Sequence, residues 1–229
     1  MESKKVGLNI NMSKTKLMSN SEVRDFTLFN KIIERVDEYR YLGQIVSLQD
    51  RSKKEISSRI AGAWKKFWEH KIILKSKMSV ATKIKILNAC VLPSLTYGAQ
   101  TWALTGTKTK RLNTTHNRML RSILGIKLKD KVPISEIRAK TKTGNIGTYI
   151  NKLKFGYAGH MSRGKDKWNK LIEEWTPRDH KRSKGRPPIR WRDNLVKNFG
   201  SLWKRQAEDR SIWRRTVDAY ARRWADGTG

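Results

Sequence analysis

Carboxylates are scarce in this 229-residue chain. Twenty Asp and Glu stand against 51 Lys and Arg, for a formal net charge of +31 at pH 7. That imbalance implies a polyanionic partner, nucleic acid before any other. Cysteine is nearly absent as well: Cys90 is alone, so no disulfide can form within the chain and nothing points to an oxidising compartment. The histidines at 70, 116, 160 and 180 are scattered. None pairs with Cys90 or with another histidine at ligand spacing, so no zinc or other metal site is expected. Met1 is followed by Glu2, Ser3, Lys4 and Lys5, with no apolar core of a signal peptide. Hydrophobic residues make up 37% of the chain, which predicts a lean core divided among one or two domains.

One stretch departs from this charged background. No charge occurs from Ile86 through Thr107. Val80, Ile84, Leu87, Val91 and Leu95 step by four, three, four and four, the spacing of one helix face. Pro93 lies inside the pattern and predicts a kink, or two helices meeting. The run is long enough for a membrane span, but Asn88, Ser94, Thr96, Gln100, Thr101 and Thr105 are too polar for one. Net charge elsewhere is uneven: +1 over residues 1–50, +21 over 51–176 and +9 over 177–229. The basic load belongs to the middle and the tail.

Along the chain, Gly7 to Asn11 alternates apolar and polar and reads as a short strand, as do Ile32 to Val36 and Tyr39 to Ser47. Gly43, inside the last, suggests a bulge. Glu55 to Glu69 is an amphipathic helix with Ile56, Ile60, Ala63 or Trp64, and Phe67 inward, and Ser52 with Glu55 forms a capping-box pattern. Lys110 to Gly125 is another, with Leu112, Met119, Leu120 and Ile123 inward and Gly125 as its stop. Trp64, Trp68 and Trp102 read as core tryptophans before stacking platforms for bases. Leu153 to Met161 is a short aromatic helix or loop, with His160 beside Arg163. Lys181 to Asp193 (KRSKGRPPIRWRD) is extended and basic. It reads either as a stiff linker or as a hook in which Arg186, flanked by Lys184, Arg190 and Arg192, enters a narrow minor groove. Two helices follow, with Trp191, Leu195, Phe199 and Leu202 on one stripe and Trp213, Val217, Tyr220 and Trp224 on the other. Arg214, Arg215, Arg222 and Arg223 face outward. The fold class is therefore mainly α, with a small N-terminal β-hairpin layer, a helical bundle, a basic linker and a C-terminal helical hairpin.

GLNINMSKTKLM, then VDEYRYLGQIVS, then RIAGAWKKF, TKIKIL, LPSLTYGAQTW and RMLRSILGI occur in that order. The series resembles the region downstream of the catalytic motif in non-LTR (LINE-like) retrotransposon reverse transcriptases. Arg186 and its neighbours match that family's RGRPxxxWRR stretch. The resemblance implies that residues 1–50 are the end of the palm, 51–130 the thumb, 131–180 a connecting segment and 181–229 a basic nucleic-acid-binding tail. It implies that Lys14 approaches the incoming triphosphate, and that Tyr41, Leu42 and Gly43 form the primer-grip hairpin. Thumb contacts to template–primer phosphates fall to Arg59, Lys65, Lys66, Arg118 and Arg121. The chain departs from the family at Gln100, where glutamate is usual, which leaves that site a packing role.

The family's metal-binding Asp pair is missing, since no two aspartates are adjacent anywhere in the chain. The resemblance implies that the sequence begins just after that motif, so no catalytic residue and no cofactor are expected here. In the intact polymerase Mg²⁺ would be the cofactor. The function expected is a reverse transcriptase fragment that binds RNA/DNA hybrid or duplex DNA without polymerising. Upstream polymerase and endonuclease domains would be partners, membrane would not, and the location would be intracellular and nuclear. A retained host DNA-binding protein using the GRP hook and a functionless truncated relic are the alternatives.

Overall fold

The computed structural model describes residues 5, 7, 9–20, 25–164, 167–175, 184–185 and 189–225. The chain divides into two compact units, Met1–Ser58 and Arg59–Gly229. It is mainly α, with small antiparallel β pairs in the first unit.

That first unit holds two hairpins where one was expected. β1 (Thr27–Leu28) pairs with β2 (Lys31–Ile32), and β3 (Glu38–Tyr41) with β4 (Gln44–Ser47). Each reverses on two residues of positive φ: Phe29 and Asn30 at 53° and 58°, Leu42 and Gly43 at 48° and 77°. This two-residue turn matches the twist of the strands it joins. The strand expected over 39–47 thus folds back at its middle, pairing Tyr39 with Val46, and Gly43 is a turn residue rather than a bulge. No strand forms over Asn9 to Asn11. The Asn11 side chain instead accepts from the Ser13 hydroxyl at 2.7 Å and the Lys14 amide at 3.2 Å. That local turn competes with an extended chain. Leu17 bridges to Arg35.

Asp50, at φ 49°, opens α1 (Arg51–Glu69). Its carbonyl accepts from the Lys53 and Lys54 amides at 2.9 and 3.0 Å. The helix therefore starts before Ser52, and the capping box does not form. Glu55 is buried and accepts from the Ile45 amide at 2.7 Å, which anchors β4.

In the second unit Ala63 and Phe67 of α1 are fully buried. After the single turn α2 (Lys71–Leu74), one helical path runs through α3 (Val80–Ile86), a π turn (Leu87–Val91) and α4 (Leu92–Thr96). Pro93 has no N–H to continue the ladder, and the preceding turn widens so that the Leu92 amide donates to the Leu87 carbonyl. Ile84, Leu87, Val91 and Leu95 are buried on its inner side. α5 (Gly106–Leu124) starts on Thr105, whose hydroxyl accepts from the Lys108 amide. It stops at Gly125, φ 73°, as the sequence predicts, and Leu112, Met119, Leu120 and Ile123 are buried.

α6 (Ile134–Thr141) leads to α7 (Ile146–Arg163), much longer than the turn or two expected over 153–161. α8 (Lys167–Glu174), α9 (Asp193–Phe199), α10 (Trp203–Glu208) and α11 (Arg210–Ala225) follow. The tail thus makes three helices after residue 190 rather than a hairpin of two. Gly200, at φ 79°, ends α9. Leu202 is exposed and Trp203 is buried in its stead. A core of Phe155, Ala158, Leu195, Trp203, Ala207, Trp213 and Val217 forms, edged by Trp191, Phe199 and Tyr220. α7 packs against α5 as well as against α10 and α11. Among the described residues no helix is long and apolar enough to cross a membrane.

The Trp213 indole donates to the Phe155 carbonyl at 2.8 Å. Its ring lies 2.3 Å from where a Cβ on Gly159 would be, whereas Gly156 has nothing within 4 Å. Gly159→Ala is expected to lower stability by about 1–3 kcal/mol, read as a lower urea midpoint. Gly156→Ala, on the same helix, should leave the midpoint unchanged or raise it.

Candidate nucleic-acid interface

Between Glu69 and Asp130 the chain has no acidic residue and twelve Lys and Arg. α5 lies wholly inside that stretch. With Leu112, His116, Met119, Leu120 and Ile123 turned inward, the 3.6-residue period leaves Lys110, Arg111, Thr114 and Arg118 exposed on its opposite side. No carboxylate within the helix offsets them. Exposed lysines at 71, 77, 85, 127 and 129 flank it in sequence.

Other residues expected at the interface are divided. Lys65 is exposed. Lys66 is exposed but paired with Glu69 at 2.6 Å, and its ammonium holds the Glu69 carboxyl below the ordinary range. Arg59 stacks over the Tyr97 ring at 4.6 Å and is only half-exposed. Arg121 does not stand outside with Arg118: its guanidinium donates to the Val132 carbonyl at 2.7 Å, tying α5 to the segment after it. Arg163 likewise donates to the Ala207 carbonyl at 2.6 Å, leaving His160 exposed beside it. Trp64 and Trp68 stack on each other at 6.0 Å, and Trp68 is 49% exposed, so it is not a core residue.

In the first unit Lys14 is exposed on the Asn11 turn, and its carbonyl accepts from the Tyr39 hydroxyl at 3.4 Å. The turn therefore sits against β3, whose end carries Tyr41. Tyr41 and Leu42 are 62% and 76% exposed at the hairpin tip. A leucine in the left-handed region costs about 1–2 kcal/mol, a cost set here by the two-residue turn between β3 and β4.

Lys184 and Arg190 of the tail are exposed. Arg186, with Lys181, Arg182 and both prolines of the GRP string, lies outside the described residues. Arg192 is half-buried. The tail is fastened by Trp191, whose indole donates to the Gln100 carbonyl at 2.8 Å. Residue 100 thus contributes its backbone, and a glutamate's charge is not needed for that contact.

Sequence reasoning missed Lys154. It is 3% exposed, has its ammonium 5.2 Å over the Trp191 ring and 3.4 Å from the Trp102 carbonyl, and borders a cavity of about 250 Å³. Its place in the series Ile150, Lys154, Ala158, a buried stripe with a cation in it, was the available signal. Burial lowers its ammonium from 10.5 to about 8, with Asp193 opposing. His116, also buried, is lowered to about 4 by burial and by Arg138, so it is neutral at pH 7. Among the described residues no three His, Cys, Asp or Glu side chains converge on a site that could hold a metal ion.

A helical scaffold with an acid-free basic face is the setting for the sequence comparisons. The chain belongs to a family of transposon-derived proteins. It is 31% identical over 228 residues to the transposon-derived protein F52C9.6 of Caenorhabditis elegans, a match covering 91% of this chain and 82% of that one. No family model matches the sequence. No solved structure matches it either.

Lys154 gives a signed expectation for stability. The unfolded chain holds that proton more tightly than the folded one, so the group disfavours folding below pH 8, and the penalty fades as pH rises from about 8 to 10.5. Lys154→Met should therefore exceed the parent by about 2–3 kcal/mol at pH 7. In urea unfolding across pH, that difference should close by the upper limit.

Proposed function

We propose that this chain is the clamp and tail of a non-LTR retrotransposon reverse transcriptase, a protein that grips RNA/DNA hybrid or duplex DNA by its phosphates and does not polymerise alone. The observation that carries the reading is the acid-free face of α5 with Lys110, Arg111 and Arg118 outward. The transposon-derived relative and the ordered series of reverse-transcriptase-like segments support it. Each arginine or lysine set against a phosphate releases condensed counterions, which gives affinity without reading sequence. The hairpin tip at Tyr41 to Gly43 would abut the primer end, and Lys14 the triphosphate.

Nucleotidyl transfer needs two metals about 4 Å apart, held by clustered carboxylates. This chain's residues do not fit that demand, as no aspartates are adjacent and no cluster of ligands forms among the described residues. Mg²⁺ and the reaction would come from polymerase domains supplied by other residues, working with this clamp at genomic DNA in the nucleus. The string Gly185-Arg186-Pro187, entered from the exposed Lys184 and Gly185, favours a second reading, a retained DNA-binding protein. Stronger binding to AT-rich than to GC-rich duplex, lost in Arg186→Ala, would identify it.

With about 6–10 phosphate contacts, affinity should fall about 10³–10⁵-fold between about 50 and 200 mM salt. Arg118→Ala should reduce the salt slope by about one. A flat salt response would overturn the electrostatic reading. Primer extension on an RNA template with Mg²⁺ should yield no product, and extension that survives purification would show a metal site in this chain.

A further inference from the structure

A cavity of about 280 Å³ lies between α7, α8 and the segment that fastens the tail. Tyr157 and Trp191 form aromatic walls, with rings 6.4 Å apart and nearly perpendicular at 86°. Ile172 adds an apolar wall, and Arg190 and Arg192 also border the space. Glu173 completes the lining. Its side chain is 6% exposed, and one carboxylate oxygen holds the Lys204 ammonium at 2.6 Å. The other, Oε1, is sealed from solvent and has no hydrogen-bond partner among the described residues.

A buried carboxylate with an unused acceptor stands in want of donors. Aromatic walls around a carboxylate could also cage an organic cation. Here Lys204 already offsets the carboxylate, and two arginines would repel a second cation. A planar ring that brings N–H donors inward and an anionic phosphate outward suits all three features at once. Guanine has that character on its pairing edge, where N1–H and the N2 amino group are adjacent donors. Adenine, cytosine and thymine each bring a single donor position there. A carboxylate has about four acceptor sites, so the Lys204 contact leaves room for both guanine donors.

We propose that this cavity receives an unstacked guanine of single-stranded RNA or DNA, read by Glu173 and stacked on one of the Tyr157 and Trp191 rings with its edge toward the other, with Arg190 and Arg192 on its phosphates. The proposal rests on the nucleic-acid reading above and adds base preference to a grip that otherwise has none.

The test is fluorescence anisotropy of the full chain with an oligothymidine of about twelve nucleotides, against the same strand carrying one central guanine, inosine or adenine. The guanine strand should bind about tenfold tighter than the adenine strand. Inosine, which lacks the N2 amino group, should fall between them. Glu173→Gln should bring the guanine-to-adenine ratio near one. The inosine comparison needs no variant and stands even if that variant folds poorly. Equal binding of guanine and adenine strands by the parent chain would overturn the pocket and leave the basic-face reading intact. Absence of binding to every strand would overturn that reading and the pocket with it. Binding of a trimethyl-lysine peptide that Glu173→Gln abolishes would overturn the pocket in favour of a protein partner.

Discussion

The contact between the Trp213 indole and the bare backbone of Gly159 sets the geometry of the C-terminal half of the molecule. With no side chain at 159, α11 approaches α7 closely enough for the indole N–H to reach the Phe155 carbonyl at 2.8 Å. Phe155 then meets Phe199 and Tyr220 edge-on at 4.7 and 4.9 Å, arrangements that rings favour. Tyr220 in turn accepts from Asn151 at 2.7 Å. Trp191, which lies against Tyr157 of α7, is fastened to the Gln100 carbonyl. A chain with few hydrophobic residues gains most from such aromatic contacts, because each ring buries a large area for few ordered torsions.

That aromatic core carries an unusual electrostatic load. A net charge of +31 opposes compaction through self-repulsion. Several cations are drawn into the structure rather than left outside. Arg121 and Arg163 meet backbone carbonyls, Arg59 lies on Tyr97, and Lys154 lies over Trp191. The three arginines act as structural ties, whereas Lys154 is held inside at a cost to folding. Exposed cations remain on the outward arc of α5 and also on the C-terminal helices, at Arg205, Arg210, Arg214, Arg215 and Arg222. A count of basic residues overstates the exposed charge, and the division follows from distant carbonyls and rings.

How far the fold was legible follows from the range of the forces involved. α5 was readable because its apolar spacing, its stop at Gly125 and its burial all lie within one helix. The Pro93 break was readable too, although its resolution as a π turn depends on how the flanking helices pack. Alternation alone obscured the reversal at Leu42 and Gly43, with a leucine where such turns favour Asn, Asp or Gly, whereas the family resemblance placed a hairpin there. The role of Gly159 needs Trp213, more than fifty residues away, and the capture of Arg121 needs the Val132 carbonyl. At the candidate interface, Arg118 stands where helical periodicity places it. The burial of Lys154 and the sealed carboxylate of Glu173 arise from tertiary neighbours that no local pattern reveals.

The stretch without carboxylates has a consequence for control. Lys110 and Arg118 are eight residues apart, about 12 Å along the helix axis, while charges in about 0.15 M salt sense one another over about 8 Å. Neighbouring cations on this arc therefore overlap in their fields, and its ends are partly independent. Within α5 itself there is no counter-charge to unpair or to pair. Its field answers to the ionic atmosphere around it, so the surrounding electrolyte, rather than any rearrangement within α5, sets how far that field extends.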